Sequence, residues 1–317
     1  MFFSFPRYCS FMTCPICKSS NTRYFANKDG YLFYRCASCK TLFISNMPSQ
    51  KTLAAYYANQ FSYTDGLINE NIIRIRGKII LRKLHQLAPL AKTLCDIGSG
   101  YGFFLDEARK RGICVFGVEP SRQLVHHAFK EYSINSFLGT LEEFVRKRKG
   151  QFDVVTCIHV IEHVSKPNYF ISNLLKLVKP GGLLYIETPN GDSHLLYAER
   201  ENYTFLIPPH HLWIFSKESI KKLLPRDFQI ILVNTYSYSE HLMGIVKRLI
   251  WNCNPCHFKR SGKPSVSASL DPSDNHLRMT QKRLSYFLFD RLLAPLFTGL
   301  LNAYHKGSIL ELYIKKK

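Results

Sequence analysis

Short apolar runs alternate with segments of helical periodicity along most of the chain. Runs of this length that are bounded by turn residues predict buried strands, and each of the first four is followed by an apolar spacing typical of a helix. The predicted strands lie near 93–97, 113–118, 134–138, 152–158, 182–187, 228–235 and 309–314. Parallel sheets are built from alternating units of this kind, so the pattern predicts an α/β fold with seven strands.

One segment precedes this alternation and another interrupts it, and both are predicted to be helical. Apolar residues recur at helical spacing over about 68–87, and Pro89 ends that pattern. The second segment, 236–308, separates the last two strands, where a hairpin connection needs only a few residues. It contains two amphipathic runs, so we predict a helical insertion that either covers the core or also contacts a membrane or a second subunit, as in a homodimer.

The segment 14–47 combines alternating aromatic residues with two C-x-x-C pairs. The four cysteines are Cys14, Cys17, Cys36 and Cys39. Thiolates at this spacing are typical of a zinc ribbon, and a hairpin module this small needs such a staple to fold. Four cysteine ligands leave no open position on the metal, so the predicted Zn²⁺ is structural. Unligated thiols are the alternative, and a redox pair is disfavoured because no βαβ pattern surrounds either pair.

These patterns predict the organisation of the chain. Residues 1–13 form an N-terminal extension to which we assign no function, 14–47 the zinc ribbon, and 48–92 a linker with the N-terminal helix. Residues 93–317 form the main α/β domain, which includes the insertion 236–308. This division suits a length that accommodates one domain of about 200 residues and a smaller module.

Composition excludes some classes of protein and favours anionic partners. Of the 317 residues, 46% are hydrophobic, which excludes a disordered or fibrous chain. The net charge of +20 favours nucleic acid, phosphorylated or nucleotide-linked substrates, or an acidic membrane surface. The N-terminus lacks the pattern of an export signal, and no uncharged apolar stretch reaches about 18 residues. We therefore expect a cytoplasmic protein, with peripheral contact on the inner face of the membrane left open.

A glycine-rich turn follows the first predicted strand of the main domain. Glycines let the backbone turn tightly and approach a ligand at the carboxyl end of a strand, where open α/β sheets bind nucleosides. The spacing G-x-G-x-G departs from the dinucleotide pattern G-x-G-x-x-G, so a pyrophosphate site is disfavoured. Glu119 stands 21 residues after Gly98, at the end of the next strand, where a carboxylate can accept both hydroxyls of a ribose. The turn contains Asp96, Gly98, Ser99, Gly100 and Gly102.

Five motifs in a fixed order resemble those of class I S-adenosylmethionine-dependent methyltransferases. They are D-I-G-S-G-Y-G, G-V-E-P-S, F-D-V-V with I-E-H-V, V-K-P-G-G and T-P-N, between residues 96 and 190. The chain is most similar to the branch of the ubiquinone-biosynthesis O-methyltransferases and to zinc-ribbon relatives found with cell-surface sugar biosynthesis. The resemblance implies a Rossmann-like, seven-stranded class I methyltransferase fold with S-adenosyl-L-methionine as cofactor.

The same resemblance implies roles for individual residues. The glycine-rich turn, Gly98 to Gly102 with Ser99 and Gly100, wraps the amino-acid moiety of the cofactor, and Asp96 orients that turn. Glu119 holds the ribose. Leu141 and Glu142 stand where the family contacts adenine, although Gly139 and Thr140 replace the acidic residue that many members have after the third strand.

Histidines supply the candidate bases. Methyl transfer is an in-line displacement, so the enzyme mainly positions the nucleophile, and a base helps if the acceptor is a hydroxyl. The ordinary pKa of histidine suits that task, and a structural role is the alternative for each one. The candidates are His159, His163, His210 and His211.

Three functions remain open on the sequence. The first is methylation of a small molecule, anionic or glycan-linked, such as a sugar, a nucleotide sugar or a lipid-linked intermediate. The second is methylation of rRNA or tRNA, which the charge favours, but the N-P-P-Y motif of many N-methylating enzymes is replaced here by His159-Val-Ile-Glu162. The third is a non-enzymatic nucleic-acid or membrane binding module, which an intact glycine-rich turn disfavours.

Overall fold

The computed structural model of the chain describes residues 12–49, 52–53, 70–147, 152–237 and 304–317. The predicted extension therefore lies almost wholly outside the described residues, and so does most of the insertion 236–308. The strands are β1 Thr22–Lys28, β2 Tyr31–Cys36, β3 Leu42–Ile44, β4 Thr93–Ile97, β5 Cys114–Glu119, β6 Ser136–Leu138, β7 Phe152–Ile158, β8 Val178–Pro189, β9 Trp213–Ile214, β10 Phe228–Tyr236 and β11 Ile309–Lys316. The helices are α1 Glu70–Leu87, α2 Phe103–Arg109, α3 Arg122–Tyr132, α4 Leu141–Lys147, α5 Pro167–Lys176, α6 His194–Glu199 and α7 Lys217–Leu223, with 3₁₀ turns at Ile161–His163 and Arg200–Asn202.

Seven strands form the central sheet, in the order β6-β5-β4-β7-β8-β11-β10. The pairs among β4 to β8 are parallel, and β11 runs antiparallel to both of its neighbours. The predicted seven-stranded α/β fold is confirmed. A sheet that is parallel through β4, β5 and β6 brings their carboxyl ends to one edge, where the glycine-rich turn and Glu119 follow β4 and end β5.

Helix α1 packs beside α2 and lies next to that edge. Its buried residues include Gly77, Ile80, Leu81 and Leu84. A Cβ atom at Gly77 would come within 3.2 Å of the Phe104 ring, so glycine there permits the close approach of the two helices. None of the helices in the described residues combines the length and apolar content that a membrane span requires.

A second sheet has the order β1-β2-β3-β9. Strand β9 comes from the main domain, and it pairs with β3 through Leu42 with Ile214 and Phe43 with Trp213. The sequence predicted hairpin strands within 14–47 but not this fourth strand. Backbone pairing of β3 with β9 therefore ties residues 14–47, which we call the cysteine module, to the main domain.

Candidate functional site

A cavity of about 260 Å³ opens at the carboxyl edge of the central sheet. The turn after β4 and the helices α1 and α2 line it. The ends of β7 and β8 contribute Ile158, His159 and Glu187. Of the predicted cofactor residues, Asp96, Gly98, Ser99 and Gly100 line this cavity.

The turn after β4 requires glycine at two positions. Gly98 and Gly102 have φ angles of 78° and 81°, in the region that side chains rarely adopt. A Cβ atom at Gly98 would lie 2.4 Å from Cγ2 of Val160, and one at Gly102 would lie 2.9 Å from Cβ of Ala128. The close approach of the backbone to its neighbours fixes the course of this turn around the cavity.

Glu119 joins the end of β5 to the glycine-rich turn. Its Oε2 accepts a hydrogen bond from the Gly100 N–H at 3.0 Å, and its Oε1 accepts one from the Ser121 N–H at 2.9 Å. Burial raises the pKa of this carboxyl, while the two N–H donors act to lower it. Glu119 is thus a buried acceptor group hydrogen-bonded to the turn, and it does not itself line the cavity.

Asp96 lies at the base of the same turn. The Thr156 hydroxyl donates to its Oδ1 at 2.6 Å. Burial raises the pKa of Asp96 to about 7, and the nearby Glu119 carboxylate adds to that shift. Leu141 and Glu142 start α4 after β6, with Leu141 buried and Glu142 half-buried, and neither lines the cavity.

His159 is held between two buried carboxylates at the cavity. Its Nδ1 lies 3.1 Å from Oε1 of Glu162, and its Nε2 lies 3.3 Å from Oε1 of Glu187. Burial alone would lower the pKa of His159, but the two carboxylates raise it to about 10. Its φ of 53° lies in the left-handed region, which is unusual for a residue with a side chain. Backbone conformations of this kind cluster at functional sites. His159 is therefore protonated at neutral pH when no positive charge lies beside it in the cavity.

A protein family described as a methyltransferase domain matches residues 72–231. The chain belongs to this methyltransferase family. The protein is a class I, S-adenosylmethionine-dependent enzyme, as its motifs predicted.

Two similar proteins and one solved structure show how far the likeness reaches. The methyltransferase is 30% identical over 185 residues to a ubiquinone biosynthesis O-methyltransferase of Escherichia fergusonii, and 28% identical over 185 residues to one of Escherichia coli. Each match covers 52% of this chain and 75% of the relative. A solved S-adenosylmethionine-dependent methyltransferase from Thermotoga maritima is 16% identical, with a TM-score of 0.49 and coverage of 84% and 99% of the two chains.

A buried charge network that the sequence did not predict extends the methyltransferase cavity. Arg76 of α1 donates to Oε2 of Glu187 at 3.1 Å and also to Glu311 of β11. Its guanidinium lies 3.7 Å from the ring centroid of Tyr236, whose hydroxyl donates to Oε1 of Glu187 at 2.7 Å. Burial raises the pKa of Glu311, whereas the pKa of Glu187 is held at about 2 by His159 and Arg76 against the effect of burial. The sign of this network in the sequence is Glu187, a charged residue within the apolar run of β8.

The other three candidate histidines of the methyltransferase form a separate group and do not line the cavity. The Nδ1–H of His163 donates to the His210 carbonyl at 2.8 Å, and that of His211 donates to the Phe205 carbonyl at 2.7 Å. Burial lowers the pKa of all three rings, to about 4 for His210 and about 3 for His211. The structure thus separates His159 from the rest.

Four cysteines converge on one point, two from the turn before β1 and two from the end of β2 and the turn after it. The Sγ atoms of Cys14 and Cys39 are 3.6 Å apart, those of Cys17 and Cys36 are 3.5 Å apart, and all four lie within 4.8 Å of one another. Metal–sulfur bonds of about 2.3 Å in a tetrahedral site place sulfurs about 3.8 Å apart. The cluster could therefore hold a metal ion of the size of zinc.

Proposed function

We propose that the glycine-rich turn and Glu119 hold S-adenosylmethionine, with the amino-acid moiety along Gly98 to Gly102 and the ribose hydroxyls on Glu119. Support comes from the cavity that the turn lines and from the buried carboxylate at the next strand end. Asp96 orients the turn, and Leu141 with Glu142 contact adenine from the start of α4. The bound cofactor supplies an electrophilic methyl group on a sulfonium.

The acceptor is a small molecule methylated on a hydroxyl, and we propose a sugar, a nucleotide sugar or a lipid-linked intermediate. The observation that carries this proposal is the group of charged side chains in the otherwise largely apolar cavity lining, His159, Glu187 and Arg76, which offer both donors and acceptors. A hydroxyl-rich acceptor can satisfy such groups better than an apolar one. The similar proteins named as O-methyltransferases support oxygen as the methylated atom.

His159 is the proposed proton acceptor for that hydroxyl. It is the only one of the four candidate histidines that lines the described cavity. Its pKa of about 10 falls when a positive charge enters the cavity beside it, because like charges disfavour the protonated ring. His159 then accepts the proton of the acceptor while Glu162 and Glu187 keep the ring in place.

The acceptor class can be tested with the full chain and methyl-labelled S-adenosylmethionine. Reaction with a panel of nucleotide sugars, free sugars, lipid-linked sugars, catechols and total RNA should place label in a hydroxyl-bearing small molecule, as an alkali-stable methyl ether. Nuclease treatment before separation provides the control for RNA. Label that is confined to nuclease-sensitive material would overturn the small-molecule proposal.

We also propose that the four cysteines bind one structural zinc ion. Cobalt-loaded wild-type protein should show thiolate-to-metal charge-transfer absorption, and Cys36→Ser should weaken both this absorption and the affinity for the metal, because only three of the four thiolate ligands remain. Hydrogen exchange should then rise across 14–47, since metal binding supplies much of the folding energy of such a module. Cys114→Ser is the matched control because that cysteine is exposed and outside the cluster. Absorption and metal affinity in Cys36→Ser that both equal those of the wild type would mean that the ligands lie elsewhere.

A further inference from the structure

Three imidazole rings meet where the 3₁₀ turn Ile161–His163 packs against the loop before β9. The ring centroids of His163, His210 and His211 are separated by 4.1, 4.9 and 5.2 Å. One ring nitrogen from each residue lies within 4.8 Å of the others. Two chain segments about 47 residues apart, the separation of His163 and His210, therefore bring three nitrogen ligands to one place.

Backbone carbonyls fix the tautomer of two of these rings. A carbonyl oxygen can only accept, so the Nδ1 atoms of His163 and His211 must carry the hydrogens that point to His210 O and Phe205 O. In a neutral ring whose Nδ1 carries the hydrogen, Nε2 has the lone pair that a metal needs. His163 also makes a hydrogen bond with the backbone of His159. Histidine ligands commonly donate their other N–H to a carbonyl in this way, and that contact also holds the ring orientation.

The spacing of the rings suits a tetrahedral metal site. Zinc–nitrogen bonds of about 2.0–2.1 Å place the ligand nitrogens about 3.3 Å apart and the centres of their rings about 5 Å apart. Two of the observed centroid distances, 4.9 and 5.2 Å, match the second value, and the third, between His163 and His210, is shorter at 4.1 Å. The ring nitrogens, which lie within 4.8 Å of one another, would have to approach to about 3.3 Å around a bound ion.

We propose that His163, His210 and His211 form a second metal site, for a divalent transition ion such as zinc. His163 and His210 are half-buried and His211 is buried, so an ion can enter from solvent and be held within the fold. The buried carboxylate of Glu162, next to His163, lies within electrostatic range of all three rings and favours a dication there. Three protein ligands leave one coordination position for water or an acceptor oxygen, unlike the four-cysteine cluster.

The site lies between the cysteine module and the cofactor cavity. The Leu212 N–H donates to the Glu162 carbonyl at 2.9 Å, and the Ile44 N–H donates to the Leu212 carbonyl at 3.2 Å. Glu162 in turn contacts His159 at the cavity. An ion at the three histidines would therefore brace the segment that carries the proposed proton acceptor.

Metal counting on the full chain tests the proposal without any activity measurement. Protein stripped by a chelator, reloaded with Zn²⁺ and desalted should contain two zinc ions per chain, one at the cysteines and one at the histidines. His210→Asn should contain one, because asparagine keeps the volume but removes an imidazole ligand. His85→Asn, at an exposed position on α1, should still contain two. Equal counts in wild type and His210→Asn would overturn the proposal.

Cobalt loading gives a second measurement that does not depend on how the variant folds. After the thiolate charge-transfer absorption of wild-type protein is saturated, a further equivalent of Co²⁺ should add d–d absorption without charge transfer. His163→Asn should lack that further absorption while it binds S-adenosylhomocysteine as wild type does. If saturation of the cysteine site ends all spectral change in wild-type protein, the three histidines are polar packing residues and the proposed metal site is wrong.

Discussion

Glu119→Gln should weaken the binding of S-adenosylhomocysteine by at least about 100-fold. In the wild type, both carboxylate oxygens accept hydrogen bonds from backbone N–H groups of Gly100 and Ser121. A glutamine amide would point its NH₂ at one of these donors, and it would lose one acceptor for the ribose. Loss of hydrogen bonds to a charged group costs about 1.5–3 kcal/mol each, and about 2.7 kcal/mol corresponds to 100-fold in affinity. Titration calorimetry measures the effect directly.

Glu131→Gln provides the matched control for that experiment. Glu131 lies on the exposed face of α3 and pairs only with the exposed Lys130 among the contacts of the described residues. The control should bind S-adenosylhomocysteine as wild type does, since exposed ion pairs contribute little. Equal affinity in Glu119→Gln and Glu131→Gln would show that the ribose lies elsewhere, and the proposed cofactor residues would need to be reassigned.

His159→Asn should lower kcat by about 10²–10³-fold and leave the affinity for S-adenosylhomocysteine within about threefold. Proton transfer by a positioned side chain contributes about this much to a rate. His159 accepts a proton only when its ring is neutral, so kcat of the wild type should rise with pH on the acid side of the profile. The variant should lack this rise, because asparagine does not titrate.

A second variant separates proton transfer from a merely structural role. Glu187→Gln removes one of the two carboxylates that raise the pKa of His159, so the rise of kcat should move to lower pH. His126→Asn, at an exposed position on α3, should keep the wild-type profile. An unchanged profile in His159→Asn would assign the proton to another group, with Glu187 and its network as the nearest one.

The central sheet was the part of the fold that the sequence predicted best. Strands β4 and β7 have the predicted bounds because buried parallel strands are continuous apolar runs between clear turn signals. Strand β8 begins at Val178, four residues before the predicted start at 182. The prediction was late because Lys-Pro-Gly-Gly is typical of a turn. Its register with β7 shifts between Phe152 and Val154, and Gly181 has a φ of 73° there, so the strand continues through an irregular stretch.

The site was predicted where it is local in sequence and missed where it is not. The glycine-rich turn and Glu119 follow from strand ends that a parallel sheet must place side by side. Arg76 meets Glu187 and Glu311 across 111 and 235 residues, and hydrophobic periodicity carries no information on such pairs. Helix α1 has apolar residues around its circumference, with Ile75 61% exposed and Ile80 1% exposed, so the sequence did not show which side meets the cavity.

Strand β9 pairs with β3 of the cysteine module, so the module covers an edge that the rest of the enzyme would otherwise expose. Trp213 and Phe43 are both almost fully buried, and their rings lie 6.2 Å apart across the pair β3 and β9. A truncated chain that starts after residue 49 would present an unpaired strand beside an uncovered tryptophan, the combination that promotes edge-to-edge association. Expression of the catalytic part alone would therefore remove the cysteine module and expose an aggregation-prone surface, so the two parts of the chain are best handled as one folding unit.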